Sequence, residues 1–182
     1  MLVNLITASR RLQEWDAKGR WVFTRRDLAR LFPEDGTRSL NKGIARLVAK
    51  GLLERLGRGV YINPLARGKD GRLLERVALA LRRGEYNYLS LESALSEYGA
   101  ISQIPLDRLT VMTTGRKGEY RTPYGVIEFT HTARPAENIL ANTVLVPERP
   151  LRLATKAAAW RDLKRVGRNL TLVDREALSD EG

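Results

Sequence analysis

Two residue types that supply much of protein chemistry are scarce in this chain. It contains no cysteine, and His131 is its single histidine. Disulfides, thiolate nucleophiles and cysteine-ligated metal sites are therefore excluded. A histidine-dependent triad would have one candidate base, and no partner for His131 is recognisable in the sequence. We expect His131 to lie at a strand end with a local hydrogen-bond partner, and we predict no metal site, no cofactor and no catalytic residue.

Long hydrophobic segments are also missing. No apolar run reaches the roughly 18–20 residues that a membrane span needs. Residues 1–6 lack both the basic start and the long apolar segment of a signal peptide. We predict a cytoplasmic protein without a membrane partner.

What the chain does have is positive charge. Its 182 residues include 32 Lys and Arg against 21 Asp and Glu, which gives a net charge of +11 and a pI of about 10.4. Such an excess favours a polyanionic partner, with nucleic acid first and an anionic membrane surface second. Residues 1–64 hold 13 of the cations and only 6 of the acids, and Pro and Gly interrupt the pattern at 64–71. We therefore predict two domains, residues 1–66 and 67–182.

The first domain has the element order of a winged helix-turn-helix. Apolar spacing, turn residues and capping residues define each of its elements. In order, these are a helix with Leu2, Leu5, Ile6, Leu12 and Trp15 that ends at Gly19, a strand at 21–23, a helix that starts at Thr24 with Asp27 in a capping box and ends before Pro33, a helix from Thr37 to about Lys50 closed by Gly51, and strands at 52–56 and 60–63.

The third predicted helix carries the strongest functional signal. At 100° per residue, its apolar side chains gather on one side. Arg38, Lys42 and Arg46 lie on the opposite side, with Ser39 beside them, and no acid occurs between Thr37 and Lys50. Long cationic donors and small residues on one helix face suit phosphates and guanine edges in the major groove. The alternative is a solvated face, but such faces usually mix both signs of charge.

Two other positions in the first domain favour DNA contact. Arg58 lies between two glycines at the predicted wing tip, where a guanidinium can reach a phosphate or the minor groove. The alternative is an exposed turn with an incidental cation. Thr24, Arg25 and Arg26 begin the second helix, whose free N–H groups suit a phosphate.

The second domain is mixed α/β, so the predicted fold class is α+β, a winged helix-turn-helix followed by a mixed α/β domain. We predict a helix from Leu73 to near Gly84, a helix in 86–99 capped by Ser90, strands at 109–114 and 126–131, a strand at 151–153, and a helix from Ala154 to about Val166.

Several motifs in this half resemble a known family. Residues 88–95 read Tyr-Leu-Ser-Leu-Glu-Ser-Ala-Leu and are followed by Tyr-Gly at 98–99. The strand at 109–114 comes next, and Thr-Pro-Tyr-Gly leads into Val-Ile-Glu-Phe over 122–129. Together with the winged helix, these motifs resemble the AbiEi family, the antitoxins of type IV toxin–antitoxin (abortive infection) modules.

The resemblance implies a function for each domain. The winged helix would bind inverted repeats in the promoter of its own operon and repress it, and the second domain would contribute antitoxicity. The cognate toxin would be a nucleotidyltransferase-like protein, neutralised with or without a stable complex. Ser90, Glu92, Ser93 and Tyr98 match the family's shared helix and are the candidates for antitoxicity. The alternative is that these residues have a structural role, since Ser90 suits a helix cap and Glu92 suits the helix dipole.

Two other functions compete with this one. The first is an ordinary winged-helix regulator whose second domain senses a ligand or oligomerises. The second is a nucleic-acid-processing enzyme, which would need clustered carboxylates to hold Mg²⁺. Asp107, Glu119, Glu128 and Glu148 are scattered along the chain, so the sequence predicts that the protein is not an enzyme.

Overall fold

A computed structural model describes residues 4–101 and 107–179 of the chain. The chain forms two compact units, which we call unit 1 (Met1–Leu73) and unit 2 (Leu74–Gly182). The predicted boundary after Ala66 lies slightly N-terminal to this division. Within the described residues, no helix is long and apolar enough to cross a membrane.

Unit 1 has three helices and a small antiparallel sheet. The strand order is β1-β3-β2, and β2 and β3 form the hairpin expected of a wing. Leu2, which the sequence also places in the first helix, lies outside the described residues. The elements are α1 (Leu5–Asp16), β1 (Val22–Thr24), α2 (Arg25–Leu31), α3 (Thr37–Ala49), β2 (Glu54–Gly57) and β3 (Val60–Ile62).

One apolar cluster holds unit 1 together. Phe23 of β1, Leu28 of α2 and Leu47 of α3 are completely buried in it. Burial of a large apolar side chain contributes about 1.5–3 kcal/mol, so these contacts fix α3 against the other helices. Gly51 follows α3 with φ +70°, a conformation that glycine adopts without a steric cost.

Unit 2 is built on a six-stranded mixed sheet of order β6-β7-β5-β4-β9-β8. The β5–β7 and β4–β9 pairs are parallel, and the other pairs are antiparallel. Residues of α5 and α7 pack into the main apolar cluster of this unit. The elements are α4 (Leu73–Leu81), β4 (Asn87–Leu89), α5 (Leu91–Glu97), β5 (Arg108–Thr113), β6 (Gly118–Thr122), β7 (Gly125–His131), α6 (Ala136–Ala141), β8 (Thr143–Val144), β9 (Arg152–Ala154), α7 (Lys156–Val166), a 3-10 turn (Leu170–Leu172) and α8 (Arg175–Ser179).

The α+β fold class is confirmed, and the helix predicted to be capped by Ser90 is present as α5, which begins at Leu91. The sequence does not predict the interior strand β4, which residues 87–89 form just before this helix. All three residues of β4 are buried, so the alternation of a half-buried strand is missing. Ser90 occupies the predicted cap position, but its side chain makes no capping hydrogen bond.

Candidate nucleic-acid interface

The geometry of α3 agrees with the helical wheel. Leu40, Ile44 and Leu47 are buried, whereas Arg38, Lys42 and Arg46 are exposed on the opposite side. We call these three exposed side chains the α3 cationic face. Because the buried side is fixed by the core of unit 1, the face is rigidly presented to solvent.

The α3 cationic face is not neutralised within unit 1. Among residues 4–101 and 107–179, none of its three side chains forms an ion pair with a carboxylate. Elsewhere in the unit such pairs exist, for example Arg11 with Glu34 at 2.6 Å. An unpaired cationic row on one helix face is available to phosphates and base edges.

The start of α3 is held by a local hydrogen bond. The Ser39 hydroxyl donates to Asp35 Oδ1 at 2.7 Å, and Ser39 is half-buried. Its hydroxyl therefore supports the entry to the helix. Thr37, the first residue of α3, is exposed and follows Gly36, which offers no side-chain cap.

The predicted capping box of α2 is present. Thr24 Oγ1 accepts from the Asp27 amide at 3.2 Å, and Asp27 Oδ2 accepts from the Thr24 amide at 2.8 Å. The Arg25 amide donates to the Gly59 carbonyl at 3.0 Å. Two of the first three backbone amides of α2 thus donate hydrogen bonds within unit 1. A phosphate at this helix start would therefore be bound mainly by the exposed side chains of Arg25 and Arg26.

The wing lies next to the start of α2. Its turn consists of Arg58 and Gly59, with Gly59 at φ +74° and Arg58 exposed. The bond from the Arg25 amide to the Gly59 carbonyl fastens this turn to α2. The wing tip, which carries Arg58, therefore lies next to the start of α2, which carries Arg25 and Arg26.

Arg25 also reaches α3, through a residue that sequence reasoning missed. Its Nε donates to Asn41 Oδ1 at 3.0 Å, and Asn41 is exposed. Asn41 lies three residues after Arg38 and so belongs to the same outer side of α3. That spacing could have identified it, because asparagine is a common reader of adenine. Arg25 thus connects the wing, α2 and α3.

The four candidates in unit 2 are engaged in contacts within that unit. The Ser90 hydroxyl donates to Asp162 Oδ2 at 2.8 Å, and Asp162 also accepts from Arg134. Ser93 Oγ accepts from the Thr110 amide at 2.9 Å. These bonds join α5 to β5 and α7 in the interior of the unit.

The buried carboxylate of Glu92 forms an ion pair with Arg168, whose side chain is 34% exposed. Glu92 Oε1 accepts from Arg168 Nε at 2.7 Å and from Asn169 Nδ2 at 2.9 Å. Burial alone would raise the pKa of Glu92, but the bonds from Arg168, from its own backbone and from Asn169 outweigh burial and lower the pKa. The Tyr98 hydroxyl donates to the Ala154 carbonyl at 2.9 Å. An antitoxic role for these residues stays a prediction.

The hairpin of β6 and β7 brings together two carboxylates that the sequence analysis treats as scattered. Glu119 of β6 lies opposite Glu128 of β7, and Arg108 Nη1 donates to both, at 3.0 and 2.7 Å. Arg121 and Arg168 occupy further oxygens of the same pair. In the part of the chain that the structure describes, no group of acidic or histidine side chains is arranged to hold a metal ion.

His131 lies where the sequence predicts, at the last residue of β7. Its Nδ1 is 2.9 Å from the Gly115 carbonyl oxygen. Because a carbonyl only accepts, Nδ1 carries the hydrogen in this contact. The histidine therefore has a local backbone partner.

Comparison with known proteins supports the N-terminal assignment. Residues 10–64 match the family model described as "Transcriptional regulator, AbiEi antitoxin". The crystal structure of the RV2827C protein from Mycobacterium tuberculosis is similar to the chain, with 19% identity and a TM-score of 0.56 over 98% of this chain and 71% of that one. At this identity the likeness shows the fold alone. No curated protein matches the chain.

The matched segment begins within α1 and ends just after β3, so it covers nearly all of the winged helix described above. It includes the whole α3 cationic face. The predicted family resemblance is thereby confirmed for this part of the molecule. Over residues 10–64, the chain therefore matches the AbiEi family of antitoxin transcriptional regulators.

Proposed function

We propose that the protein binds double-stranded DNA at inverted repeats in the promoter of its own operon and represses transcription there. We further propose that it is the antitoxin of a type IV module and counteracts a nucleotidyltransferase-like toxin in the cytoplasm. The observation that carries the DNA-binding part is the α3 cationic face. Its three side chains are exposed and unpaired among the described residues, and they lie on a helix whose other side is fixed by a buried core.

Each group has a distinct role in this proposal. Arg38, Lys42 and Arg46 enter the major groove with α3, where arginine can read guanine and either cation can hold a phosphate. Asn41 lies on the same outer side and is positioned by Arg25. Arg58 at the wing tip contacts the backbone or the minor groove beside the α3 site.

The antitoxin part rests on the family match over residues 10–64 and on the resemblance of residues 88–99. Ser90, Glu92, Ser93 and Tyr98 are the proposed determinants. Because three of them are buried, their proposed effect is to fix the surface of α5 and its surroundings. No catalytic step by this chain is required.

A genetic experiment separates the two activities. A promoter–reporter fusion measures repression, and rescue of growth during expression of the proposed nucleotidyltransferase-like toxin measures antitoxicity. Arg38→Ala/Lys42→Ala/Arg46→Ala in the full chain is expected to abolish repression while leaving rescue intact. A matched triple variant, Arg10→Ala/Lys18→Ala/Arg67→Ala, removes the same charge from exposed positions off α3 and is expected to repress normally.

Retained repression by the α3 triple variant would refute the DNA-binding assignment. Failure of the full chain to rescue growth would refute the antitoxin assignment. It would favour a regulator whose second unit senses a ligand or oligomerises.

A further inference from the structure

Unit 2 contains a cavity of about 780 Å³ that the function proposed above does not use. It opens where β5 and β7, which run parallel, both end, and where α7 ends beside them. Its size is within the range of small-molecule sites. The side chains around it include those of Thr114, Arg116, Lys117, Thr130, His131 and Arg165.

In the part of the chain that the structure describes, the charged side chains that line this cavity are all cationic, although Glu85 lies beside it and accepts from the Thr114 hydroxyl at 2.6 Å. Among the described residues, Arg116, Lys117 and Arg165 line it, and no carboxylate does. None of these three cations forms an ion pair with an acid within residues 4–101 and 107–179. In the same unit, Arg134 pairs with Asp162 and Arg149 with Glu75. Over the same residues, the cations of the cavity therefore lack the acidic partners that Arg134 and Arg149 have.

The cavity is also built from fixed parts. The turn that carries Arg116 is bonded through the Gly115 carbonyl to His131 Nδ1 at 2.9 Å. On its other side, Arg82 Nε donates to the Arg116 carbonyl at 2.9 Å. Arg165 Nη2 donates to the His131 carbonyl at 3.3 Å. Backbone anchors of this kind reduce the ordering cost of binding.

Arg116, one of the cations of the cavity, lies close enough to Arg82 for the two guanidinium groups to repel each other. Desolvation lowers the pKa of Arg82, and the charge of Arg116 lowers it further, against the opposing effect of Glu85. A bound anion would relieve this repulsion.

We propose that this cavity is a phosphate-binding site. Guanidinium and ammonium groups bind phosphate oxygens through charge-assisted hydrogen bonds, and the Thr130 hydroxyl adds a neutral donor. The phosphate belongs either to a free nucleotide or to a nucleic-acid backbone. The site goes beyond the DNA-binding function proposed for α3, because all its residues belong to unit 2.

Because His131 is the single histidine of the chain, its ring reports on this site without ambiguity. The experiment is a titration of the full-length protein with inorganic pyrophosphate at constant ionic strength, followed by NMR of the His131 ring and by calorimetry. We expect saturable shifts of the ring signals. Arg116→Gln/Lys117→Gln is expected to weaken binding by roughly ten-fold or more, which corresponds to about 1.4 kcal/mol or more, because it removes two exposed charges that contact the phosphate.

The matched control is Arg161→Gln/Arg175→Gln, which removes the same charge from exposed positions of unit 2 outside the cavity. It is expected to bind pyrophosphate within about two-fold of the parent chain. The wild-type ring shifts test the site even if the cavity variant is poorly folded. Absence of saturable shifts, or an equal loss of binding in the control, would overturn the proposal.

Two further ligands distinguish the sources of phosphate. ATP that binds more tightly than pyrophosphate and shifts the same ring signals identifies a nucleotide site. If a non-operator duplex competes with pyrophosphate, and if its binding depends less on salt in Arg116→Gln/Lys117→Gln than in the parent chain, the ligand is the nucleic-acid backbone. The α3 cationic face is intact in these variants. A result that overturns the phosphate site therefore leaves the DNA-binding proposal unaffected, and a result that overturns DNA binding by α3 leaves the phosphate site unaffected.

Discussion

Replacement of Glu92 by glutamine tests whether this residue of α5 is structural or contacts the toxin. Glu92 is only 5% exposed, and it accepts two bonds from Arg168 and one from Asn169. Glutamine keeps the size of the side chain, but it removes the charge and places an amide N–H₂ near a guanidinium. The substitution therefore isolates the electrostatic contribution of the pair.

The exposure and partners of Arg168 determine how much free energy of unfolding the Glu92→Gln variant should lose. Loss of one partner from a buried ion pair costs about 3–5 kcal/mol. Arg168 keeps Glu128 as a partner, and its side chain is 34% exposed, so solvent offsets part of the loss. We expect Glu92→Gln to destabilise unit 2 by about 2–3 kcal/mol near neutral pH.

The effect has a defined pH dependence. The pKa of Glu92 in the folded protein is below the ordinary value of 4.5, so the unfolded chain binds the proton more tightly. The stabilisation is therefore fully present above pH 4.5 and is lost as the pH falls through the lower folded pKa. The difference between the parent chain and Glu92→Gln should shrink over that acidic range.

Amide hydrogen exchange of Val111 and Met112 in β5 measures this effect, because it reports on unit 2 separately from unit 1. Glu137→Gln, an exposed carboxylate at the start of α6, is the control and should change stability by less than about 0.5 kcal/mol. A change below about 0.5 kcal/mol for Glu92→Gln would refute the assigned electrostatics.

The same variant bears on antitoxicity. If Glu92 acts by holding Arg168, then Arg168→Gln and Glu92→Gln should lose growth rescue to a similar degree. Loss of rescue by Glu92→Gln alone, with equal protection of β5 in both variants, would instead mark Glu92 as a residue that contacts the toxin.

Three further substitutions test the framework of the two units. Thr24→Ala removes the capping box with Asp27 and should destabilise unit 1 by about 1 kcal/mol, whereas Thr24→Ser should not; urea unfolding compares them. Asp162→Asn leaves Arg134 without its buried partner and should cost about 3–5 kcal/mol, read from hydrogen exchange in β4. Gly59→Ala should cost about 1 kcal/mol, because its φ of +74° strains an L-residue while its Cβ meets nothing within 4 Å; no change in urea midpoint would contradict this.

Local signals explain why unit 1 is predictable from sequence. The capping box at Thr24, the Gly51 that closes α3, and the four-residue spacing of Arg38, Lys42 and Arg46 all depend on neighbours within one or two turns. The structure agrees with each of them. Exposure of the α3 cationic face follows directly from burial of the apolar side.

Unit 2 is less predictable because its determinants are non-local. Residues 87–89 show no alternation, since β4 is an interior strand buried on both faces. No strand is predicted at residues 118–122, yet β6 pairs with β7 there and places Glu119 opposite Glu128. The pairing of strands determines these contacts, and the residue pattern within each segment carries no signal for them.

The salt dependence of operator binding tests the central claim most directly. Fluorescence anisotropy would measure the affinity of the full chain for a duplex from its own promoter between low and physiological salt. If Arg38, Lys42 and Arg46 each release a phosphate counterion, the triple alanine variant should bind more weakly, and its log–log salt slope should be smaller in magnitude by about 2.7. Arg10→Ala/Lys18→Ala/Arg67→Ala should leave that slope unchanged. Equal slopes for the α3 variant and the parent chain would mean that α3 does not face the DNA.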